Sequence, residues 1–221
     1  MLGIREGAVR DICKTLEKHG IIIVELDIAN DSFDGVSFIT DKGHTVIVIN
    51  KNRSNDRKRF TIAHELGHII MHLCESFIIP EYRNREEEAD AFASEFLMPE
   101  GEIKNSLRNI RLSDLISLKQ IWLTSIASLI RRAKDLELIT TQKYTYFNIE
   151  LSRLGYKKKE PFEVYIDKPT LFSDNYTLHK VDLGYTDGEL ADSFYLPIDV
   201  INRFCTPKEG KLRVLFSRKS L

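Results

Sequence analysis

The 221-residue sequence has little of what marks a secreted or membrane protein. It holds only 3 cysteines, Cys13, Cys74 and Cys205, which are far apart and odd in number, so no disulfide framework is predicted. No run of roughly eighteen apolar residues is present, which excludes a membrane-spanning helix. Charged side chains from Arg5 to Asp11 interrupt the first residues, so we expect no secretory signal. These absences together predict a cytoplasmic protein.

An excess of charge is also lacking. The chain has 32 Lys and Arg against 33 Asp and Glu, a net charge of −1, so bulk charge neither favours nor excludes a nucleic-acid partner. The charges are unevenly placed, because residues 51–59 are mainly basic and residues 75–102 mainly acidic. The acidic stretch would attract a basic protein partner. A solvated charged face is the alternative.

The sequence does contain a helix, over residues 59–74, with a single polar strip. At about 100° per residue, five polar side chains share an arc about 100° wide and the other positions are apolar or small. These five are Thr61, His64, Glu65, His68 and His72. Buried polar groups cost about 1–3 kcal/mol when left unbonded, so the strip needs a partner. A core helix that carries His-Glu-x-x-His by chance is the alternative.

A metal ion would satisfy this strip. Histidines at i and i+4 project the same way and suit two imidazole bonds to one Zn²⁺. Glu65, next to the first histidine, would then reach a water rather than the metal. Gly67 lacks a Cβ and would let another backbone approach the helix closely, although glycine costs a helix about 1 kcal/mol.

A second helix is predicted over residues 84–97. Asn84, with Glu87 three residues later, is typical of a helix cap, and Pro99 marks the end. Catalytic zinc takes three protein ligands and keeps one position open, so this helix is expected to supply the third. Glu86 and Asp90 stand at i and i+4, the spacing of a ligand carboxylate and a second carboxylate that orients a ligand histidine.

Three adjacent carboxylates compete to be the third ligand. Glu86 borders the apolar face of the predicted helix, whereas Glu87 faces solvent. Glu88 lies on the opposite flank and has only Phe92 one turn later. The pattern therefore favours Glu86 and predicts that Glu87 and Glu88 take no part.

Together the two segments resemble the ImmA/IrrE family of metallopeptidases, which share an R-F-T-x-A-H-E-x-G-H helix and a later E-x-x-A-x-x-F-A-x-x-x-L-M-P helix. The matching stretches here are residues 59–72 and 86–99. The resemblance implies zinc ligands at His64, His68 and Glu86 and a general base at Glu65. It also implies site-specific cleavage of a helix-turn-helix repressor, often one that guards a mobile element or a stress response.

The remaining pattern near the N-terminus predicts an α+β fold. An amphipathic helix over residues 5–19 precedes strand-like runs at 21–26, 36–40 and 45–50, with a turn signal at Asp41-Lys42-Gly43. We expect a zincin-like lobe over residues 1–105, with helices packed on a small, mainly antiparallel sheet. An edge strand within residues 36–50 would hold an extended substrate by main-chain pairing.

A helical module is predicted at residues 106–140. Two helices, 112–122 and 125–138, would pack together and leave Arg131, Arg132 and Lys134 outside. This pattern is similar to the small helix-turn-helix module that follows the peptidase lobe in the family. A DNA reader needs base-contacting side chains near the start of its second helix, where this chain has only Ser125 and Ser128, which favours a structural role.

Residues 141–221 are the least informative part of the sequence. Helices are predicted at 144–156 and within 188–204, with a basic run at 157–159. We find no ligand motif and assign this extension a role as a sensor or a substrate-docking element. Nucleic acid, suggested by Arg131, Arg132 and the lysines at 157–159, and a small molecule are the candidate activating signals.

Two functional hypotheses follow. The leading one is a zinc endopeptidase; the alternative is a non-proteolytic regulator that binds DNA or protein and has a structural metal site. A structural zinc site needs four protein ligands, so His72 would have to complete it, although it lies a further helical turn away. We otherwise expect His72 to support the ligands. His72 and Tyr82 are candidates for stabilising the oxyanion.

Overall fold

The computed structural model describes residues 7–30, 32–73, 83–194 and 198. Its strands are β1 (Ile21–Leu26), β2 (Gly35–Ile39) and β3 (Thr45–Asn50). Its helices are α1 (Ile12–Glu17), α2 (Asn55–Met71), α3 (Arg85–Leu97), α4 (Glu100–Leu107), α5 (Leu112–Trp122), α6 (Ile126–Asp135), α7 (Thr141–Arg153), α8 (Leu171–Thr177) and α9 (Asp187–Phe194), and a π-helical turn (Leu178–Asp182) follows α8. This confirms the predicted α+β class.

The sheet has the order β1-β3-β2, which corrects one detail of the prediction. β2 and β3 form the predicted antiparallel hairpin, in which Ser37 faces Ile47. β1 pairs with β3 in parallel, with Ile23 opposite Ile47, so the sheet is mixed rather than mainly antiparallel. β3 is the most buried strand and takes the centre, and because it runs in the same direction as β1, that pair is parallel. β2 is left as an edge strand of the described sheet, and it begins at Gly35, one residue before the range predicted for such a strand.

Helix α2 is fixed between the sheet and α3. Its side chains Ile62 and Ala63 are fully buried. A Cβ on Gly67 would lie 3.1 Å from Phe92 Cδ1 and 3.3 Å from Ala89 Cα, so α3 packs directly against the glycine, as predicted. On the other side, a Cβ on Gly35 would lie only 2.5 Å from Thr61 Cγ2. The polar strip of α2 is therefore held at a fixed height above β2 and beside α3.

The N-terminus of α3 has the predicted cap. The Asn84 side chain accepts a hydrogen bond from the Glu87 backbone N–H at 3.3 Å. The helix ends at Leu97, and Pro99 then caps the start of α4. The cap fixes where the first turn of α3 begins, and with it the direction of the three glutamates.

Helices α5 and α6 are tied to the rest of the fold by buried cations. Arg59 of α2 is fully buried and donates to the backbone oxygens of Leu123 and Arg10, each at 2.9 Å, and of Val9. Arg132 was predicted to lie outside, which is wrong. It is 8% exposed, donates to Met98 O at 3.1 Å and pairs with Glu95.

Other element boundaries differ from prediction by a few residues. Of the helix predicted at 5–19, residues 12–17 are helical and residues up to 6 lie outside the described part. Helix α7 begins three residues earlier than predicted because Thr140 caps it, its Oγ1 accepting from the Lys143 N–H at 3.2 Å. Most of the predicted helix beyond Phe194, with Cys205, lies outside the described residues, as do Cys74 and Tyr82.

The chain divides into two compact units, Met1–Phe172 and Ser173–Leu221. The helices and strands up to α7 belong to the first unit. The second contains α9, where Leu190 is fully buried. Among the described residues, no helix is long and apolar enough to cross a membrane.

Candidate metal centre and active site

Three side chains of the first unit converge on one point. His64 and His68, one turn apart on α2, bring their Nε2 atoms within 3.0 Å of each other. Glu86, in the first turn of α3, places Oε2 3.3 Å from the Nε2 of His64 and Oε1 3.5 Å from the Nε2 of His68. The donor atoms all lie within 4.8 Å of one another. These are the residues that the sequence predicts as metal ligands.

The spacing of these donors fits a zinc ion. A tetrahedral zinc with bonds of about 2.0–2.1 Å holds neighbouring ligand atoms about 3.3–3.4 Å apart. The two imidazole nitrogens lie 3.0 Å apart, and each lies 3.3 or 3.5 Å from one of the two oxygens of Glu86, so the distances scatter around that value. Two imidazoles and one carboxylate are also the set that leaves a zinc site open. The donor chemistry therefore suits a catalytic ion.

Asp90 orients the first histidine. Its Oδ1 lies 2.8 Å from Nδ1 of His64, one turn along α3 from Glu86. An ionised carboxylate can only accept, so Nδ1 of His64 must carry the proton. When this is the only ring proton of His64, its Nε2 has a free lone pair, and that atom faces the other two donors. The i, i+4 spacing of Glu86 and Asp90 predicts this position.

His68 is kept in its neutral form by its surroundings. Burial lowers its pKa, and the neighbouring His64 lowers it further, against the opposing effect of Glu86 and Glu65. A neutral imidazole is the form that binds metal. The electrostatics of the site therefore favour the ligand state at neutral pH.

Glu65 is positioned beside the donors by the edge strand. It is 8% exposed, and its Oε2 accepts a hydrogen bond of 2.6 Å from Ser37 Oγ in β2. The sequence pattern was not used to predict a role for Ser37. The available signal was the alternation of β2, which directs Gly35 and Ser37 to the face packed on α2. The strand thus fixes one oxygen of the Glu65 carboxylate.

The site lies where two cavities meet. A cavity of about 920 Å³ extends toward Phe60 and the lysines at 157–159, and one of about 430 Å³ extends toward Val36 and Leu73. Residues common to both linings are Gly35, His64, Glu65 and Glu86. A chain lying in this cleft can therefore continue on both sides of the three donors.

His72 and Glu88 form a contact that the sequence did not predict. His72 Nδ1 lies 2.9 Å from His68 Nδ1, and His72 Nε2 lies 3.0 Å from Glu88 Oε2. Arg83 donates to both oxygens of Glu88, at 2.6 and 2.7 Å, and this hydrogen bonding, followed by that from His72, lowers the pKa of Glu88. From the sequence we considered only Phe92, one turn later on α3, and so missed these partners of Glu88. A helical wheel of α3 alone does not include the neighbouring helix, whose C-cap is His72.

The structure also gives the positions of His72 and Glu87. The ring nitrogens of His72 face His68 and Glu88, so His72 does not join the three donors as a fourth ligand. Glu87 is exposed at the start of α3, as predicted. The donor set in the described residues is therefore open rather than closed.

Comparison with known protein families identifies the family of this chain. Residues 16–134, more than half of the chain, match the peptidase M78 family, described as the IrrE N-terminal-like domain. The chain belongs to this family. Among solved structures it is similar to a Mycobacterium tuberculosis transcriptional regulator, with 19% identity and a TM-score of 0.44. The similarity covers 59% of this chain and 42% of that one, so this chain spans less than half of the regulator. Among curated proteins no significant match is found.

Proposed function

We propose that this protein is a zinc-dependent endopeptidase. The observation that carries the proposal is the convergence of His64, His68 and Glu86 beside Glu65, in a cleft that continues on both sides. An exopeptidase closes one side of its site, whereas an endopeptidase must accept chain in both directions. Membership of the peptidase family supports the same class of reaction.

The zinc ion and the side chains of the protein would have separate roles in peptide hydrolysis. When bound by His64, His68 and Glu86, zinc supplies Lewis-acid chemistry, which lowers the pKa of water and polarises a carbonyl. Glu65 takes the proton from the attacking water and passes it to the leaving amine. Ser37 holds Oε2 of Glu65, so Oε1 is the oxygen that accepts the proton. Asp90 keeps His64 in its ligand tautomer.

The substrate would lie along β2. This strand forms an edge of the described sheet, and Val36 and Phe38 are each more than two-fifths exposed on it. An extended peptide pairs with such an edge through main-chain hydrogen bonds. From the resemblance to ImmA/IrrE peptidases, we propose that the substrate is a helix-turn-helix transcriptional repressor of a mobile element or a stress response, cut at one position.

Two observations count against a regulator with a structural metal site. His72 does not supply the fourth ligand that such a site needs. The start of α6 is covered within the chain, because the Ile126 and Ala127 N–H groups donate to Glu160 at 2.8 and 3.1 Å. A recognition helix needs that end free to reach DNA.

Control of the peptidase is a further part of the proposal. We propose that the C-terminal extension, residues 141–221, senses the activating signal, either nucleic acid or a small molecule. Its lysines at 157–159 line the larger cavity, close enough to the catalytic groups to affect substrate entry. Cleavage by the full chain, measured with and without added nucleic acid, tests the nucleic-acid branch: unchanged rates exclude it.

We expect the repressor to be encoded nearby, so the function itself is tested with the zinc-loaded protein and any small helix-turn-helix protein that a neighbouring gene encodes. Mass spectrometry should find one pair of fragments with the wild type and none with Glu65→Gln. Glu87→Gln, the same change at an exposed position of α3, is the matched control and should cut normally. An uncut repressor with zinc-loaded wild type would contradict the substrate, and cutting by Glu65→Gln would contradict the mechanism.

A further inference from the structure

We propose that His72 and Glu88 are positioning residues that hold His68 in its metal-binding tautomer through a chain of hydrogen bonds. The inference rests on the proposed function, since it concerns a ligand of the proposed zinc site. It gives a definite form to the support that the sequence leads us to expect of His72, and it assigns to a carboxylate of α3 a role that neither the family match nor the sequence spacing assigns.

The chain of contacts runs from the carboxylate to the ligand. Glu88 Oε2 lies 3.0 Å from His72 Nε2, and His72 Nδ1 lies 2.9 Å from His68 Nδ1. The His72 side chain is only 2% exposed, and Arg83 fixes Glu88 on its outer side. A buried imidazole needs partners for both of its nitrogens, and here both are supplied.

Proton counting along this chain gives one arrangement. Glu88 is a carboxylate and accepts, so the Nε2 of His72 carries a proton. When this is the only ring proton of His72, its Nδ1 is bare and can only accept. The proton between the two Nδ1 atoms must therefore belong to His68. With its proton on Nδ1, His68 has an unprotonated Nε2, and that is the atom 3.0 Å from Nε2 of His64 and 3.5 Å from Glu86.

The two ligand histidines are thus oriented by different means. His64 is held by one carboxylate, Asp90, whose side chain is 59% exposed. His68 is held through a second imidazole that is out of water, by a carboxylate on the other flank of α3. Groups that orient metal ligands typically contribute about 10–100-fold to metal affinity. We expect the His72–Glu88 pair to contribute within that range.

Substitutions at His72 separate hydrogen bonding from packing. His72→Phe keeps a ring but removes both bonds. In His72→Gln, the amide oxygen can accept from His68 Nδ1–H while the NH₂ group donates to Glu88. A merely structural role would not distinguish these variants by metal affinity, whereas the proposed role predicts that glutamine rescues binding.

The experiment measures zinc affinity by chelator competition and the visible spectrum of the Co²⁺-loaded full-length protein. His72→Phe and Glu88→Ala should bind zinc about 10–100-fold more weakly than wild type and shift the cobalt bands. His72→Gln and the exposed control Glu87→Ala should stay near wild type.

Two results would overturn the proposal: wild-type affinity in both His72→Phe and Glu88→Ala, or a His72→Gln variant as weak as His72→Phe. Glu88→Ala, at a partly exposed position, decides the matter if His72→Phe does not fold. A wild-type chain that binds no zinc would instead refute the proposed function itself, so the two failures are distinguishable.

Discussion

The contact between α2 and α3 and the group around Lys119 of α5 both bring polar and charged side chains together, but they use them differently. Between α2 and α3, His64, His68 and Glu86 turn their electron pairs toward one another and toward an open cleft. In the second group, Lys119 of α5 is 1% exposed, and its Nζ lies 2.5 Å from Oδ2 of Asp56 in α2 and 2.8 Å from Oε2 of Glu160, which follows α7. There, a hydrogen-bond donor meets two acceptors of the same chain.

This difference distinguishes a group of side chains that binds a metal ion from a group that only holds parts of the chain together. Paired charges such as Lys119 with Asp56 satisfy each other, so they hold elements together without needing a ligand. A group made of electron-pair donors alone is stabilised only by a cation. Substitutions among the paired charges should therefore lower the stability of the protein. Substitutions among the electron-pair donors should instead reduce metal binding or activity.

The largest effect is expected at the third metal ligand. Glu86→Ala should lose zinc almost completely, by more than the roughly 100-fold typical of groups that only orient a ligand. Cleavage should disappear with the metal, while the melting temperature of the metal-free protein stays unchanged. Metal analysis of the purified protein measures this. Glu87→Ala is the control, and stoichiometric zinc in Glu86→Ala would refute the assignment.

The next effect concerns catalysis without loss of metal. Glu65→Gln should reduce the cleavage rate by about 10²–10⁴-fold, the usual contribution of a general base, because an amide cannot take the proton. Zinc content should match the wild type, because Glu65 is not among the three donors. Single-turnover cleavage with metal analysis on the same sample tests both halves, and a zinc-free Glu65→Gln protein would show that Glu65 is a ligand instead.

Substitutions in the Lys119 group should lower the free energy of unfolding. Lys119→Met leaves Asp56 and Glu160 without their buried cation and should cost about 3–5 kcal/mol of unfolding free energy. Lys104→Met, which breaks only the exposed pair with Glu100, should cost no more than about 0.5 kcal/mol. Urea unfolding at neutral pH compares the two. Equal effects would show that the Lys119 group does not hold the fold together as proposed.

The stability difference between wild type and Lys119→Met should also depend on pH. Burial raises the pKa of Asp56, but the hydrogen bonds from Lys119, Ser54 and the Arg57 N–H, together with the charge of Lys119, outweigh it and leave the pKa lowered. Burial likewise lowers the pKa of Lys119, but Asp56 and Glu160 leave it raised. The stabilisation is thus complete between the ordinary values of about 3.9 and 10.4. It is lost as pH falls through the lowered Asp56 pKa or rises through the raised Lys119 pKa, which urea unfolding across pH tests; a pH-independent difference would contradict it.

The smallest of these effects lies at the exposed carboxylate. Asp90→Ala should weaken zinc binding by about 10–100-fold, because His64 loses the group that fixes its tautomer. Asp90→Asn should fall between, since its amide oxygen still accepts from Nδ1–H. Chelator competition measures the affinity. An unchanged value for Asp90→Ala would leave His64 oriented by packing alone.

Local pattern was enough to predict several parts of the fold. The bounds of β1, β3 and α5 agree with prediction, because alternation and helical periodicity are properties of a single segment. The placement of Glu86 and Asp90 on one flank of α3 also follows from periodicity. The close approach at Gly67 was predictable because a glycine in a helix interior costs stability and suggests a packing reason.

The features that the sequence analysis did not predict are contacts between segments that are distant in the sequence. The burial of Arg132, the contact of Glu88 with His72 and the bond from Ser37 to Glu65 each join two elements distant in sequence. The parallel pairing of β1 and β3 is of the same kind. No wheel or strand pattern contains the partner element, so the sequence of one segment cannot reveal these contacts.

The central claim is that two imidazoles and one carboxylate hold a zinc ion with a position left open. X-ray absorption at the zinc edge of the wild-type protein tests it most directly. We predict two imidazole ligands and oxygen scatterers at about 2.0–2.1 Å, with an imidazole count that stays at two in His72→Phe. A sulfur ligand, a third imidazole that disappears in His72→Phe, or the absence of bound zinc would contradict the account.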